Sequence, residues 1–394
     1  MKFMHIADLH LDRPFEGIQH ISSFLQEKFQ ENSAQVLNHI LQTAIEEDID
    51  FLLIVGDTFH QAHVSYEMQE LWVHFLQQLI DEGIQPCVVF GNHDYYDPAR
   101  YWLTWPEEVI YWDSEEVETK YIESATGELI AISAFSYCHA HIKEEKATQF
   151  PWRDEEVDYH LGLYHGQQGQ NEYAPFQLET LKSRGYDYWA LGHIHRYQLL
   201  SERIAYSGTI QGKLRKEWNL GRAIIGELNA GRCDIRPVLL SPLYYQKIEI
   251  TITNQTIAEL IQEMHQQCLY QGDTVVDVEL IFTEESDEAV KEELESADFR
   301  HYLYQGLATG EHLFVISLRY RYPSSSFHFL DEKLKEEIAQ HYQEEELFSA
   351  VGEIIFQDES LAPYTKMLMQ NRHSIIEEAL DSLEEDLKEI QDEN

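Results

Sequence analysis

The 394-residue sequence predicts an α/β fold: a double-sheet α/β sandwich, followed by a small α+β module and a helical C-terminal tail. Three observations predict it. Short apolar runs alternate with amphipathic segments in the first third, which is typical of βαβ units and a parallel sheet. Further short apolar runs predict a second sheet packed on the first. The pattern changes near residues 237–242 and becomes helical and acidic from about residue 330.

The elements of the two sheets are read from apolar periodicity. In the first helix Leu37, Ile40, Leu41 and Ala44 recur at i, i+3, i+4 and i+7, and Ser33 is the predicted N-cap. In chain order the predicted elements are strand Phe3–Ala7, helix Ser33–Glu47, strand Phe51–Val55, helix Glu67–Asp81, and strands Cys87–Phe90, Leu129–Phe135, Tyr159–Tyr164, Tyr188–Leu191, Ile204–Tyr206 and Ala223–Leu228.

The second module and the tail follow. The predicted module contains strand Tyr244–Thr253, helix Thr256–Leu269 and strands Thr274–Phe282 and Leu313–Tyr320. The tail ends in an apolar seam with spacings of 4, 3, 4 and 3, formed by Ile376, Leu380, Leu383, Leu387 and Ile390. Such a seam fits a two-heptad coiled-coil contact, or equally an amphipathic helix folded back on its own domain. The predicted domains are residues 1–240, 241–328 and 329–394.

Charge is unevenly distributed along the chain. The net charge of -43 argues against indiscriminate binding to nucleic acid, because phosphate contacts need Lys and Arg. Residues 182–247 are the exception, with 11 basic and 5 acidic side chains, against 8 and 32 in residues 1–181. We call residues 182–247 the basic segment. A solvated patch of ordinary composition and a contact surface for a polyanion are both open interpretations of it.

Targeting and cysteine patterns point to a reducing compartment. The N-terminus has no apolar stretch after a basic start, and the apolar run Phe51–Val55 is far too short to span a bilayer. The four cysteines, at positions 87, 138, 233 and 268, form no C-x-x-C pair. We therefore expect a cytoplasmic protein with no membrane association.

Polar motifs follow the ends of predicted strands. They are Asp8-x-His10, Gly56-Asp57, Gly91–Asp94, His165 within Tyr164–Gly166, and Gly192–His195. Ligands of open α/β sheets gather at the carboxyl ends of the strands, so these loops are expected to converge. A single His or Asp in a loop is usually a solvated or capping group. Five such motifs, each just after a strand, predict a metal site.

The motifs have the chemistry of a two-metal phosphoesterase. Hydrolysis of a phosphate ester needs a nucleophile from water and neutralisation of the phosphoryl charge, and two close divalent ions supply both. Asp57 is placed to bridge them. Asp8, His10 and His195 suit one position, and Asn92, His165 and His193 suit the other. Mixed imidazole, carboxylate and amide ligands favour Mn²⁺, with Fe or Zn²⁺ as alternatives.

These residues match the calcineurin-like metallophosphoesterase pattern, and the chain resembles that family over residues 1 to about 240. The segment Gly56–His60 resembles the nuclease branch, since the Asp-Arg-Gly of the protein-phosphatase branch is absent. With its small second module and helical tail, the chain is similar to the bacterial SbcD- and YhaO-type DNA repair exonucleases. The resemblance implies a double-sheet sandwich and a metal-dependent nuclease.

The resemblance also implies residue roles. Asp57 would bridge the metals, His93 would contact the scissile phosphate and help protonate the leaving oxygen, and His60 would assist at the edge of the substrate. For His93, the alternatives are a further metal ligand and a hydrogen bond to Asp94.

Other residues are interpreted from their position and charge alone. Arg196, in the basic segment, is the expected substrate-binding residue. His139 and His141 are expected to be structural, and Asp12 and Arg13 either line the substrate or form a turn.

Three functions remain open at this point. The first is a Mn²⁺-dependent DNA exonuclease or endonuclease acting in DNA repair. The second keeps the metal site but gives it a small phosphoester or cyclic nucleotide, which the acidic composition favours. The third is an interaction subunit whose tail docks on an SMC-like coiled-coil ATPase, as the resemblance implies. Oligomeric state is undetermined, and a homodimer is one option.

Overall fold

A computed structural model describes residues 1–18, 21–61, 64–99, 103–124, 127–305 and 312–323, together with residues 371, 375, 376 and 379. The chain divides into two compact units. The larger one comprises Met1–Ile248, Thr256–Val278 and Glu292–Arg319, and the smaller one comprises Glu249–Gln255, Glu279–Lys291 and the described residues from Tyr320 onward. The boundaries proposed at residues 240 and 328 remain predictions.

Two six-stranded sheets carry the fold, and both are mixed. The first has the order β12-β11-β1-β2-β3-β4 and the second β5-β6-β7-β8-β10-β9. Their elements are β1 Lys2–Ile6, α1 Ser23–Glu46, β2 Phe51–Val55, α2 Tyr66–Asp81, β3 Gln85–Val89, β4 Ile110–Tyr111, β5 Glu118–Glu123, β6 Leu129–Ala134, β7 Tyr159–His165, α3 Leu178–Ser183, β8 Tyr188–Gly192, β9 Gln198–Ser201, β10 Ile204–Tyr206, β11 Ala223–Asn229 and β12 Arg232–Val238.

The core between the sheets explains why their strands are so apolar. Phe3, Leu53 and Val55 of the first sheet share one buried cluster with Leu161 and Leu163 of the second. The other face of the first sheet packs against α1 and α2, so its central strands β1, β2 and β3 are buried on both faces. The predicted double-sheet α/β core is confirmed.

A third, three-stranded sheet has the order β13-β14-β15. Its elements are β13 Tyr244–Ile252, α4 Ile257–Gln267, β14 Thr274–Phe282, α5 Glu288–Glu295, α6 Ala297–Tyr304 and β15 Leu313–Arg321. Thr256 caps α4 in a capping box with Glu259. Of the predicted tail seam, Ile376 is described and belongs to a helical segment. Leu380, Leu383, Leu387 and Ile390 lie outside the described residues.

The prediction for the start of the first helix was wrong. The helix α1 begins at Ser23, and its cap is Ser22, whose Oγ accepts a hydrogen bond from the backbone N of Leu25 at 3.2 Å. Ser33 lies inside the helix and is buried, where its hydroxyl donates to the carbonyl oxygen of Leu11. A buried serine with a tertiary partner and a capping serine are the same residue type, so residue type alone could not locate the start of this helix.

Candidate metal centre

Strand ends bring the predicted motifs together. Asp8 follows β1, Asp57 follows β2, and Asn92 follows β3, while His165 ends β7 and His193 follows β8. The loops after β1 and β2 are joined by backbone hydrogen bonds, including Asp8 N to Gly56 O and His10 N to Asp57 O, both 3.0 Å. The carboxyl ends of parallel strands therefore converge as expected for a ligand site.

The backbone at these strand ends is strained. Asp8, His10, Asp57 and His193 have φ values of 53°, 43°, 52° and 100°, in the left-handed region that side chains other than glycine rarely adopt. Each such residue costs ~1–3 kcal/mol, and the conformation persists only because surrounding contacts hold it. Strain at four candidate ligands indicates that the loops are shaped for side-chain placement rather than for stability.

Glycines beside the motifs leave room for the candidate ligands. A methyl group at Gly56 would lie 2.8 Å from Cγ of His165, and one at Gly91 would lie 2.6 Å from the backbone N of Asp57. A methyl group at Gly192 would lie 2.7 Å from Nδ1 of His165. These distances are too short for real contacts, so the glycines are required by close approach of the site residues.

Two groups of three side chains could each hold a metal ion. Asp8, His10 and His195 form one, and Asp57, His165 and His193 form the other, with one ligand atom per residue lying within 4.8 Å of the rest of its group. We call them the Asp8 group and the Asp57 group. Asp57 faces both, since its Oδ2 lies 3.8 Å from Nε2 of His10 and 3.5 Å from Nε2 of His165.

Asn92 belongs with the Asp57 group. Its Oδ1 lies 3.2 Å from Nε2 of His165 and 3.0 Å from Nδ1 of His193. The structure thus brings together all seven residues that the sequence proposed as ligands, in the arrangement that it proposed. Their roles as ligands remain a proposal.

The atoms that face the centre can serve as metal ligands when the imidazoles are neutral. Nδ1 of His165 donates to the carbonyl oxygen of Val55 at 2.9 Å, and Nδ1 of His195 donates to Oε1 of Glu217 at 3.0 Å. In a neutral imidazole the other nitrogen then carries a lone pair, so Nε2 of each ring is available as a ligand. Lone pairs of two imidazoles, a carboxylate and an amide oxygen converge, and this donor set fits divalent cations.

Electrostatics at the centre call for positive charge. Burial would lower the pKa of His165, but the adjacent Asp57 outweighs burial and raises it to about 9. Burial would raise the pKa of Asp57, yet the surrounding histidines, His165 foremost, hold it below its usual value. The carboxylate of Asp57 is therefore ionised, and the histidines around it could bind the same metal ion. The residues present fit two divalent metals.

His93 and His60 form a pair at the edge of the centre. Their rings stack with centroids 4.5 Å apart, and each ring lies 5.1 Å from that of His10. Nδ1 of His93 donates to the carbonyl oxygen of His60 at 3.3 Å, while its backbone N donates to Oδ1 of Asp57 at 2.9 Å. His93 is therefore placed beside the metal positions with Nε2 directed away from that carbonyl contact.

Three carboxylates support the centre, and of these Glu217 was assigned no role from the sequence. Buried Asp94 accepts backbone hydrogen bonds from Asp57 and Gly91, at 3.1 and 2.7 Å, and so ties two motif loops together. Asp12 lies in a turn closed by the hydrogen bond from Arg13 N to His10 O at 3.0 Å, and its carboxylate accepts from the backbone N of His60 at 2.5 Å. Glu217 orients His195. Only Asp94 lies inside a recognised motif; Glu217 lies 22 residues from its partner and has no local signal.

Part of the basic segment is paired or buried. Lys213 is buried and donates to Oδ1 of Asn32 at 2.6 Å. Arg196 is exposed beside His195, and no ion pair with it occurs among the described residues. Four further members form ion pairs: Lys182 with Glu179, Arg203 with Asp187, Arg215 with Asp277 and Arg236 with Glu47. Ion pairing thus involves part of the segment, and both interpretations of it stay predictions.

The two extra histidines lie outside the centre. Nδ1 of His139 contacts Glu115 at 3.0 Å and Nδ1 of His141 contacts Glu172 at 3.8 Å, so they pair with different carboxylates. Among the described residues, neither belongs to a group that could hold a metal.

No helix in the described ranges is long and apolar enough to cross a bilayer.

Comparison with known proteins gives a family and several relatives. A family model described as calcineurin-like phosphoesterase matches residues 1–197, which is half of the chain. The chain is 34% identical over 224 residues to the uncharacterized metallophosphoesterase YhaO of Bacillus subtilis (strain 168), covering 55% of each protein.

Two further relatives are more distant. The D subunit of the nuclease SbcCD of Bacillus subtilis (strain 168) is 30% identical over 141 residues, covering 35% of this chain and 34% of that protein. The DNA double-strand break repair protein Mre11 of Methanopyrus kandleri is 23% identical over 212 residues, covering 50% and 44%. The chain spans about half the length, or less, of the relatives that it matches.

Proposed function

The chain belongs to the calcineurin-like phosphoesterase family, and we propose that it is a two-metal phosphodiesterase that cleaves DNA, as an exonuclease or endonuclease in DNA repair. The observation that carries this proposal is the convergence of the Asp8 and Asp57 groups on one shared carboxylate. The names of two relatives, a nuclease subunit and a DNA double-strand break repair protein, support the choice of DNA.

The proposed roles follow from the geometry. When bound, two divalent ions would polarise the phosphoryl oxygens and lower the pKa of the attacking water. Asp57 would bridge the two positions. Asp8, His10 and His195 would complete one, and Asn92, His165 and His193 the other. We propose Mn²⁺ as the metal, with Fe and Zn²⁺ as alternatives, because the ligands mix imidazole, carboxylate and amide.

His93 is the proposed proton donor. With Nδ1 donating to the carbonyl of His60, its Nε2 is the nitrogen that can reach the phosphoryl group or the leaving oxygen. The ring stacking of His60 fixes the plane of His93 and keeps it beside His10. We propose that His60 assists at the edge of the substrate and that exposed Arg196 contacts a neighbouring phosphate.

The test is cleavage of end-labelled duplex and single-stranded DNA in the presence of Mn²⁺. We expect wild type to cut and His93→Ala to lose roughly 10²–10⁴-fold in rate, the usual contribution of a general acid. His139→Ala is the matched control, because His139 is an exposed histidine paired with Glu115. Absence of cleavage by wild type, or equal cleavage by His93→Ala, would contradict the proposal.

A small phosphoester or cyclic nucleotide is the second candidate substrate. The net charge of -43 favours it, and so do the ion pairs that take up some cations of the basic segment, since both weaken attraction of a long polyanion. A salt titration separates the two substrates. DNA binding that weakens steeply with salt supports the nuclease, whereas weak binding with little salt dependence supports the small ester.

The remaining proposals concern partners and location. Because one relative is named a nuclease subunit, we propose that the chain also works with a partner, an SMC-like coiled-coil ATPase that docks on tail residues 370–394. Most of that tail lies outside the described residues. Co-purification of a candidate ATPase with a chain lacking residues 370–394 would show that the tail is not the dock. We also propose a cytoplasmic location.

A further inference from the structure

The turn that carries Glu217 is held from two sides. Residues Arg215–Glu217 form a short 3-10 turn between β10 and β11. On one side Oε1 of Glu217 accepts from Nδ1 of His195 at 3.0 Å. Its other oxygen, Oε2, accepts from the backbone N of Leu214 at 3.3 Å. Since both carboxylate oxygens are used, the direction of this side chain is set by the position of the turn.

On the other side the turn is tied to strand β14. Arg215 forms an ion pair with Asp277, whose side chain is 1% exposed. The guanidinium also lies 5.9 Å from the ring centroid of Tyr245, and the hydroxyl of Tyr245 donates to Oδ2 of Asp277 at 2.5 Å. A buried carboxylate depends strongly on its cationic partner, so this contact fixes Arg215.

A second set of contacts joins the residues after the same turn to Tyr245 of β13. Asn219 accepts from the backbone N of Tyr245 at 3.1 Å and donates to its carbonyl oxygen at 2.5 Å. The ring of Trp218 packs edge-on against that of Tyr245 at 5.5 Å. Arg215, Trp218 and Asn219 therefore all contact β13 or β14, while Glu217, in their midst, contacts His195.

We infer that Arg215 and Asp277 are positioning residues for His195. Together they fix the turn that carries Glu217, and Glu217 in turn fixes the tautomer and ring direction of His195. The sheet β13-β14-β15 thus helps to set one of the two metal positions, that of the Asp8 group. The inference rests on the proposed two-metal function and adds to it a route from the third sheet to a single ligand.

The two metal positions should respond differently. Within the described part of the chain, no hydrogen bond or ion pair joins the Asp57 group to this turn, and His165 is oriented by the backbone of Val55. A change at Arg215 or Asp277 should therefore weaken binding at the Asp8 group and leave the other position unchanged. A merely structural role would instead lower stability and affect both positions alike.

The experiment is Mn²⁺ titration of the full chain by calorimetry and electron paramagnetic resonance. Wild type should bind two ions. Glu217→Gln should weaken one binding event by about 10–100-fold, the usual effect of losing an outer partner of a ligating histidine. Arg215→Met and Asp277→Asn should weaken the same event by a smaller factor, roughly 3–10-fold. Arg215→Lys should recover part of the loss, since the charge returns without the planar stack on Tyr245.

Controls separate this route from general damage. Tyr245→Phe removes only the hydroxyl bonded to Asp277 and gives a milder second variant if Arg215→Met unfolds. Glu279→Gln, two residues along β14, breaks an exposed ion pair with Arg321 and should leave both events unchanged. Combining Arg215→Met with Glu217→Gln should weaken binding by less than the product of the single effects, since both act on one ligand.

The contrary outcomes are distinct. If wild type binds two ions and both events stay within twofold of wild type in Arg215→Met and Asp277→Asn, the inference is overturned and the proposed function stands. Equal weakening of both events overturns it as well. Fewer than two Mn²⁺ per wild-type chain would overturn the two-metal proposal and this inference with it.

Discussion

The Asp57 group and the Asp8 group are supported in different ways. In the first, His165 is fully buried and donates to a backbone carbonyl of β2 at 2.9 Å. In the second, the side chain of His195 is 25% exposed and donates to the side chain of Glu217 at 3.0 Å. A carbonyl inside a sheet is fixed by the fold, whereas a carboxylate depends on its own neighbours. The position of the Asp57 group is therefore fixed by the β-sheets, whereas that of the Asp8 group depends on the turn that carries Glu217.

The largest expected effect comes from changing Asp57, because this carboxylate faces both groups and its loss should weaken both metal positions. Asp57→Asn keeps the shape but not the charge, so both positions should lose affinity and phosphodiester hydrolysis should fall by at least about a thousandfold. The measurement is Mn²⁺-dependent hydrolysis of a chromogenic phosphodiester together with metal content per chain. Asp81→Asn, hydrogen-bonded to Gln77 at the end of α2, is the control. One intact metal position in Asp57→Asn would show that the carboxylate is not shared.

A steric change at the shared carboxylate should come next. Gly91→Ala places a methyl group 2.8 Å from Cγ of Asp57, so the carboxylate must move. A displacement of this size costs on the order of a hundredfold in activity. The control is Gly83→Ala, which has a φ of 78° and open space, and should cost only about 1 kcal/mol of stability without loss of metal. Normal activity in Gly91→Ala would mean that the loop relaxes freely.

Two alanine variants compare the supports directly. His165→Ala leaves a hole and an unpaired carbonyl in a buried site, so the metal-free protein should lose about 2–4 kcal/mol of unfolding free energy. His195→Ala removes a partly exposed ring and should cost about 1 kcal/mol. Urea unfolding with a chelator present gives both values. Equal losses of unfolding free energy in the two variants would contradict the proposed difference between the buried His165 and the partly exposed His195.

The last expected effect is a pH dependence, and it concerns the scaffold that both groups share. His5 is buried between the sheets, where Nδ1 lies 3.0 Å from the hydroxyl of Tyr188 and Nε2 3.2 Å from the carbonyl oxygen of Leu191. Burial lowers the pKa of His5 to about 3. The unfolded chain therefore binds a proton below about pH 6.5 while the folded chain does not, so stability is complete above that pH and falls as pH decreases toward 3.

The loss attributable to His5 should be about 2 kcal/mol between pH 7.5 and pH 5. It is measured as the difference in unfolding free energy at the two pH values, in wild type and in His5→Gln. The variant should lose less on acidification than wild type. His74→Gln, an exposed histidine of α2, is the control and should keep the wild-type difference. An unchanged pH dependence in His5→Gln would assign the effect to other groups.

Local sequence patterns predicted the elements that are apolar on both faces. Strands β2 and β10 have the predicted bounds, because buried strands of a layered sheet are continuous apolar runs with turn residues at their ends. Strand β14 also has the predicted bounds, although it contains Asp277 and Glu279. The edge strands β5 and β12 were missed, since each exposes one face and reads as mixed polar sequence. The short strand β4 has only two residues and offers no periodicity.

The candidate ligands were predictable for a related reason. Each follows a recognisable strand, and parallel strands deliver their carboxyl ends to one edge, so residues as distant as Asp8 and His195 could be placed together from sequence. Local patterns were therefore sufficient to predict the sandwich, the set of converging motifs and the chemistry of their side chains. These features depend on periodicity and residue type, which can be read over a few neighbouring residues.

The support of the ligands depends instead on the folded chain. Glu217 reaches His195, and Arg215 reaches Asp277, through contacts that no spacing rule encodes. The same holds for the basic segment, where a charge count could not tell which of its members the fold pairs or buries, as it does Lys182, Arg203 and Lys213. Hydrogen bonds and ion pairs between distant segments require distances of a few ångströms, and tertiary packing alone sets those.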